Sequence, residues 1–299
     1  MRKFGVFIGI FLFLGLSLAV ALDYGFTTIY KQAVPRTKFQ YLRSLSNTKV
    51  NYIFLGSSRV ENGIDPKVIE QLTQKSVANA GYEAAKLGDL YTMLQLVQEY
   101  RIKADTVFIQ IDYIFDIEGN SINLPYEMAP FTRETTAAKE YYLDYLNKPL
   151  AFYYFPFYRY LDLDQKIGFR ELFANAIAKK TQVLTNQGFS PLQPLAGNGI
   201  HDNHEALPDE IRSGNIYLEK IKHFATVHQM KIVFFCAPFC EHTKNLDYIK
   251  KLKMKIPELY DFSKSIKEES HFVNCFHLNA TGAARFTEIF TQTVLKNQK

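Results

Sequence analysis

Tryptophan is absent from the 299 residues, and cysteine occurs three times. An odd number means that Cys236, Cys240 and Cys275 cannot all pair within one chain. They also lack the Cys-x2-Cys pairs of common zinc sites. The spacing Cys236-x3-Cys240-x-His242, with Cys275-x-His277 later, is therefore a weak metal candidate, and no metal or other cofactor is expected. Cys236 ends an apolar run and reads as a small core residue. Outside the cytoplasm, a disulfide involving Cys275 fits. Nor is there a block of one charge. The net +5 is spread along the chain, which removes the electrostatic footprint that nucleic-acid binding needs. No internal repeat is found. Charged residues at 22% and hydrophobic residues at 47% exclude general disorder. They allow a sizeable core, in one large domain with an insertion or in two domains.

What is present begins at the N-terminus. Met1-Arg2-Lys3 precedes an uncharged apolar run over residues 4–22, long enough to cross a hydrocarbon layer of ~30 Å as a helix. Ala19-Val20-Ala21 resembles a signal-peptidase site. The run nevertheless exceeds the ~7–15 residues of a signal's apolar region, which favours an uncleaved anchor over a cleaved signal. Either way the remainder is expected in the periplasm or at the cell exterior. Residues 23–48 read as a polar, basic connector.

From residue 49 the pattern is that of an α/β domain. Apolar, β-branched and aromatic runs predict strands near 50–55, 76–80, 106–113, 231–237 and 271–275. Helices are expected between them, among them one opening at Asp65-Pro66, an N-cap residue followed by proline at the first helical position. Such alternation implies a three-layer α/β/α domain over 49–299 with a five-stranded parallel sheet. From about 120 to 208 the alternation stops, and Tyr141, Tyr142, Phe152, Tyr153, Phe155 and Tyr160 mark an aromatic-rich helical insertion. Aromatics at helical spacing serve first as that subdomain's own core, ahead of a lid or platform that stacks on sugars or meets a membrane.

Ligands of parallel sheets bind at the carboxyl ends of the strands. Ser58, Gly81, Asp112, Pro238 and His277 all follow predicted strand ends. Gly56-Ser57-Ser58-Arg59 lies at the first strand-to-helix turn, Asn79-Ala80-Gly81 after the second strand, and His277-Leu278-Asn279 with Gly282-Ala283 before the last helix. In this order the blocks resemble the SGNH (GDSL-like) hydrolase superfamily, whose core is flavodoxin-like. They are closest in flavour to its membrane-tethered bacterial branch, which is related to proteins that acylate cell-envelope polymers. The resemblance covers about 50–118 and 213–297. It implies Ser58 as nucleophile and His277 as general base, with Arg59 at the substrate. Backbone amides of Ser58 and of Gly81 to Ala84, with Asn79 in support, would form the oxyanion site.

Three positions depart from the family pattern. Asn274 stands where the family has the aspartate that orients the histidine, Asp112 where it has an oxyanion-donating asparagine, and Ala84 where it has a glycine. Asp112 or Glu241 could orient the histidine instead, or Ser58 and His277 could act as a dyad. The resemblance thus implies an esterase or O-acyltransferase acting on an acylated glycan or other ester. The second reading is a catalytically inactive SGNH-fold protein that binds glycan or serves a membrane-bound O-acyltransferase as partner.

Overall fold

The computed structural model of the chain describes residues 2–193 and 206–296. The chain divides into two compact units, Met1–Gln40 with Leu124–Thr181, and Tyr41–Asn123 with Gln182–Lys299.

The second unit holds the sheet. Its strands are β1 (Lys49–Gly56), β2 (Val77–Gly81), β3 (Lys103–Gln110), β4 (Ile232–Cys236) and β5 (Tyr260–Asp261). All neighbours are parallel, in the order β2-β1-β3-β4-β5. This is the flavodoxin-like order, in which ligands bind where the connections reverse direction, beyond the ends of β1 and β3. The strands are apolar on both faces because helices cover both. Leu87–Glu99 packs beside Ile216–Val227, and Pro66–Thr73 packs beside Ala280–Phe290. On one face Phe54 and Phe108 stack at 4.8 Å, and Phe290 meets Phe54, Phe108 and Phe235 edge-on at 5.1–5.4 Å.

The fifth strand is not the expected one. Residues 271–275 do not enter the sheet; Phe272–Asn274 pairs antiparallel with His277–Leu278, and Tyr260–Asp261 takes the place beside β4. The cause is local. The Asn274 side-chain oxygen accepts from the Phe276 and His277 amides, at 3.0 and 2.9 Å, so the asparagine turns the chain back on itself.

The first unit contains one helix of 31 residues, Arg2–Gln32. The connector expected from residue 23 is therefore helical up to Gln32, and Lys38–Ser44 is a further helix. Asp23, Phe26 and Tyr30 are the buried residues of the long helix, and their three- and four-residue spacing puts them on one face. The insertion's described part is helical, in short pieces such as Leu150–Tyr154, Tyr158–Asp162 and Phe169–Ala176, and contributes no strand to the sheet. Its core is aromatic: Tyr142 and Phe152 lie 4.6 Å apart, and Tyr160 packs against Phe26 at 5.1 Å.

Candidate active site

The chain leaves β1 through Gly56. A Cβ there would lie 2.3 Å from Val60 Cγ2 and 2.8 Å from Gln110 Oε1, so only glycine permits the next turn to pack this closely. Ser57 then caps the short helix Ser58–Glu61, its Oγ accepting from Arg59 N at 3.3 Å. Ser57 is itself tied to β3, donating from N and Oγ to Gln110 Oε1 at 2.8 and 3.0 Å. The turn thus presents Ser58, half-buried, at the end of the sheet.

Ser58 Oγ lies 2.8 Å from His277 Nε2, and His277 Nδ1 lies 2.9 Å from Asn274 Oδ1. Because Oδ1 already accepts from two backbone amides, the carboxamide cannot flip without setting its NH2 against them. The oxygen therefore faces the ring, Nδ1 carries the proton, and Nε2 is left as the acceptor facing Ser58. Burial, and after it the charge of Arg59, push the His277 pKa down to about 4. The imidazole is neutral near pH 7 and able to accept a proton.

Arg59 was expected at the substrate, but it is buried at 3% exposure. Its Nη1 donates to Phe276 O at 2.7 Å, and its Nη2 donates to Ala237 O and Pro238 O at 2.8 and 2.7 Å. The guanidinium lies over the Phe239 ring, 3.7 Å from its centroid, and Nε forms an ion pair with Asp112 Oδ2 at 2.7 Å. Arg59 is a brace between β1, the end of β4 and the histidine loop. Asp112 is correspondingly occupied. Gln110 Nε2 donates to Oδ2 at 2.5 Å and Ile114 N to Oδ1 at 3.3 Å, so the carboxylate is Arg59's counter-ion and not an oxyanion donor. Burial raises the Asp112 pKa against the pull of Arg59.

The second block is also inward-facing. Asn79, fully buried, donates to Val60 O and Ile64 O at 2.7 and 2.8 Å. Its Oδ1 accepts from Gly81 N at 3.0 Å. The Gly81 amide is thereby used, and the glycine itself is required because a Cβ would sit 2.4 Å from Glu61 N. Ala84 stands half-buried in the following turn with φ 56°, a left-handed value that suits the glycine of the family pattern better. Among the described residues neither the Ser58 nor the Ala84 N–H has a hydrogen-bond partner.

Cys240 and Cys275 form a disulfide, with Cys240 N donating to Cys275 O at 3.0 Å. The bond joins the segment after β4 to the turn that carries His277, and it uses the thiols a zinc site would need. Cys236 is a buried free thiol whose pKa burial raises well above the usual value. Sequence reasoning missed Gln110, whose only signal was an amide inside the apolar run of β3. It also missed Phe239 and Phe276, which pack at the guanidinium.

No family model matches the chain, and no curated protein matches it. Among solved structures, the chain is similar to a Streptococcus pneumonia protein provisionally named as a platelet activating factor. The identity is 12%, over 96% of this chain and 98% of that one, with a TM-score of 0.31. At that score the likeness bears on neither fold nor function.

Proposed function

We propose that this chain is an exported, membrane-anchored serine esterase or O-acyltransferase of the SGNH type, acting on ester-linked acyl groups of an envelope glycan. The observation that carries the reading is the line of contacts from Asn274 Oδ1 through His277 to Ser58 Oγ, at 2.9 and 2.8 Å. In the proposed reaction Ser58 Oγ attacks the ester carbonyl carbon while its proton passes to His277 Nε2. The Ser58 and Ala84 amides are the donors proposed for the oxyanion. The imidazolium then protonates the leaving alkoxide. The acyl-enzyme passes its acyl group to water, or to an acceptor hydroxyl, by the same steps in reverse.

The anchoring part of the reading rests on the long N-terminal helix. An 18-residue stretch of it has a mean hydropathy of 2.6 and is not buried, and about 20 such residues suffice to span a bilayer. Ala19-Val20-Ala21 lies inside this unbroken helix, two residues before the buried Asp23, which supports an anchor over a cleaved signal. The disulfide supports a location outside the cytoplasm.

The test is labelling of the full-length protein with a fluorophosphonate. The expected result is a covalent adduct on Ser58, lost in Ser58→Ala and His277→Ala, together with hydrolysis of p-nitrophenyl acetate. A second reading has a specific basis, the neutral Asn274 and the Asp112 carboxylate committed to Arg59. It is an inactive SGNH-fold protein that binds glycan or partners a membrane-bound O-acyltransferase. An unlabelled Ser58, with glycan binding that survives Ser58→Ala, would favour it.

A further inference from the structure

The last residues of the long helix are not free in solution. Asp23 is the first charged residue after Lys3 and is 7% exposed. Its carboxylate accepts from Arg159 Nη1 and Nη2 at 2.8 and 3.0 Å, from Arg133 Nη1 at 3.2 Å and from Phe157 N at 2.7 Å. One turn on, Thr27 Oγ1 accepts from Arg159 Nη2 at 2.8 Å and meets Tyr160 Oη at 2.8 Å. A further turn on, Tyr30 Oη donates to Ile167 O at 2.8 Å. The segment around 153–169 is therefore pinned to a known height on the helix. It starts one residue beyond Leu22, where the apolar run ends, and each residue along the helix adds only ~1.5 Å.

At that height the insertion exposes large apolar side chains. Arg133, while paired with Asp23, donates from Nε to Tyr153 O at 2.9 Å, which holds the neighbouring Tyr154 and Phe155 at the level of Asp23. They are 61% and 51% exposed. Phe169 lies 6.3 Å from Phe26 and is 77% exposed. On the helix itself Tyr24 is 74% exposed. Lys139 Nζ stands 5.2 and 5.8 Å from the Tyr153 and Tyr154 rings. A soluble surface rarely gathers such residues without a partner. Tyrosine and lysine are instead the residues of the headgroup zone where an apolar helix leaves the bilayer, and phenylalanine on an interfacial amphipathic surface buries at the boundary of headgroups and acyl chains.

We infer that the insertion is a membrane-interface collar: Tyr154, Phe155 and Phe169 enter the headgroup region of the same bilayer that the N-terminal helix crosses. The inference rests on the anchoring part of the proposed function. Covering these rings with lipid removes apolar surface from water at about 25 cal/mol per Å². The four donors on Asp23 keep its charge out of the lipid, where an unpaired carboxylate is expensive.

The absence of tryptophan supplies the test. Full-length protein carrying Phe155→Trp or Phe169→Trp has a single indole, and Leu12→Trp places one inside the proposed span. Each variant goes into phosphatidylcholine–phosphatidylglycerol vesicles doped with spin-labelled lipid, the label being at the headgroup or at the chain end. The collar predicts blue-shifted emission from the Phe155→Trp and Phe169→Trp proteins, with a larger loss to headgroup label than to chain-end label. Leu12→Trp should show the reverse order. If Leu12→Trp is quenched while neither collar indole is, the collar is wrong and the anchor stands. If none of the three is quenched, the anchor fails and the collar with it. Blue-shifted but unquenched collar emission would mean that protein covers the rings, which also overturns the proposal.

Discussion

Replacing Asn274 with aspartate probes the candidate site most directly. In the serine-protease triad, aspartate-to-asparagine exchange lowers kcat by about 10⁴, largely because the histidine is left in the wrong tautomer. That part of the penalty does not apply here. Asn274 Oδ1, held by the Phe276 and His277 amides, already accepts from Nδ1. What is missing is the charge. A carboxylate ~4 Å from the centre of an imidazolium is worth about 4 kcal/mol at an effective dielectric of 20. Part of this is offset by desolvating the new carboxylate, and part is already supplied by the amide dipole. We therefore expect Asn274→Asp to raise kcat by about 10- to 100-fold, or ~1.4–2.7 kcal/mol of transition-state stabilisation.

The same charge must raise the His277 pKa from its value of about 4, so the acid limb of the kcat/KM profile should move to higher pH. The assay is p-nitrophenyl ester hydrolysis measured from about pH 3 to about pH 9, with Ser58→Ala as the blank in both backgrounds. A shifted limb with unchanged kcat would show that imidazolium does not form in the rate-limiting step. An unchanged limb and unchanged kcat would show that residue 274 does not face the ring, refuting the proposed relay.

Other perturbations have equally definite outcomes. In the wild type the depressed pKa means that His277 stays unprotonated as pH falls from neutral. Ester kcat/KM should then hold level through mildly acidic pH and drop only as pH passes below about 4; a limb near the ordinary histidine value would contradict the burial and Arg59 effects. Reducing the disulfide, or making Cys240→Ser, opens a closed loop of 35 residues, a loss of about 4 kcal/mol on the chain-entropy estimate. That corresponds to roughly 8–16 °C in Tm by calorimetry, and an unchanged Tm would refute it. Arg59→Met leaves Asp112 as an unpaired buried charge and should cost about 3–5 kcal/mol in urea unfolding, whereas Arg59→Met with Asp112→Leu should recover much of it.

The parallel sheet was legible because buried strands and the helices between them carry different periodicities over many residues. The fifth strand was not. Tyr260–Asp261 is two residues long, too short for any pattern, and Phe272–Asn274 was drawn away from the sheet by an asparagine side chain bonding to backbone two and three residues on. The extent of the first helix was misjudged at Asp23. The uncharged run ends at Leu22, and the partners that make Asp23 a buried helical position, Arg133, Phe157 and Arg159, lie more than 100 residues away in the sequence. In the site, the order of the sequence blocks and their resemblance to the SGNH pattern suggested the Ser58 and His277 pairing, but the direction in which each polar side chain points is set by its partners. Arg59 looked like a substrate ligand because its acceptors, the carbonyls of Ala237, Pro238 and Phe276, carry no sequence signal.

The neutral Asn274 gives a reason for the amount of bracing around it. A carboxylate attracts imidazolium from many directions, whereas a carboxamide helps only if its oxygen faces the ring. Three donors converge on Oδ1 from Phe276 N, His277 N and His277 Nδ1. Rotating the amide would forfeit three hydrogen bonds of about 1 kcal/mol each. The turn that sets this geometry is held on one side by the bond from Cys275 to Cys240 and on the other by Arg59 Nη1 on Phe276 O. Rigidity thus replaces charge in orienting the base, and the two are not equivalent chemically. A base with pKa near 4 is a weak acceptor for the Ser58 proton but, once protonated, a strong acid for the leaving oxygen. In the proposed reaction, attack by Ser58 is then the slow part of acylation and collapse of the tetrahedral intermediate its fast part. Because His277 is the base for attack by Ser58 and again for attack by water on the acyl-enzyme, Asn274→Asp should raise the rates of both acylation and deacylation. Single-turnover release of p-nitrophenol in stopped flow follows the first and loss of the acyl-enzyme follows the second, and acceleration of only one of the two would refute the shared role of His277.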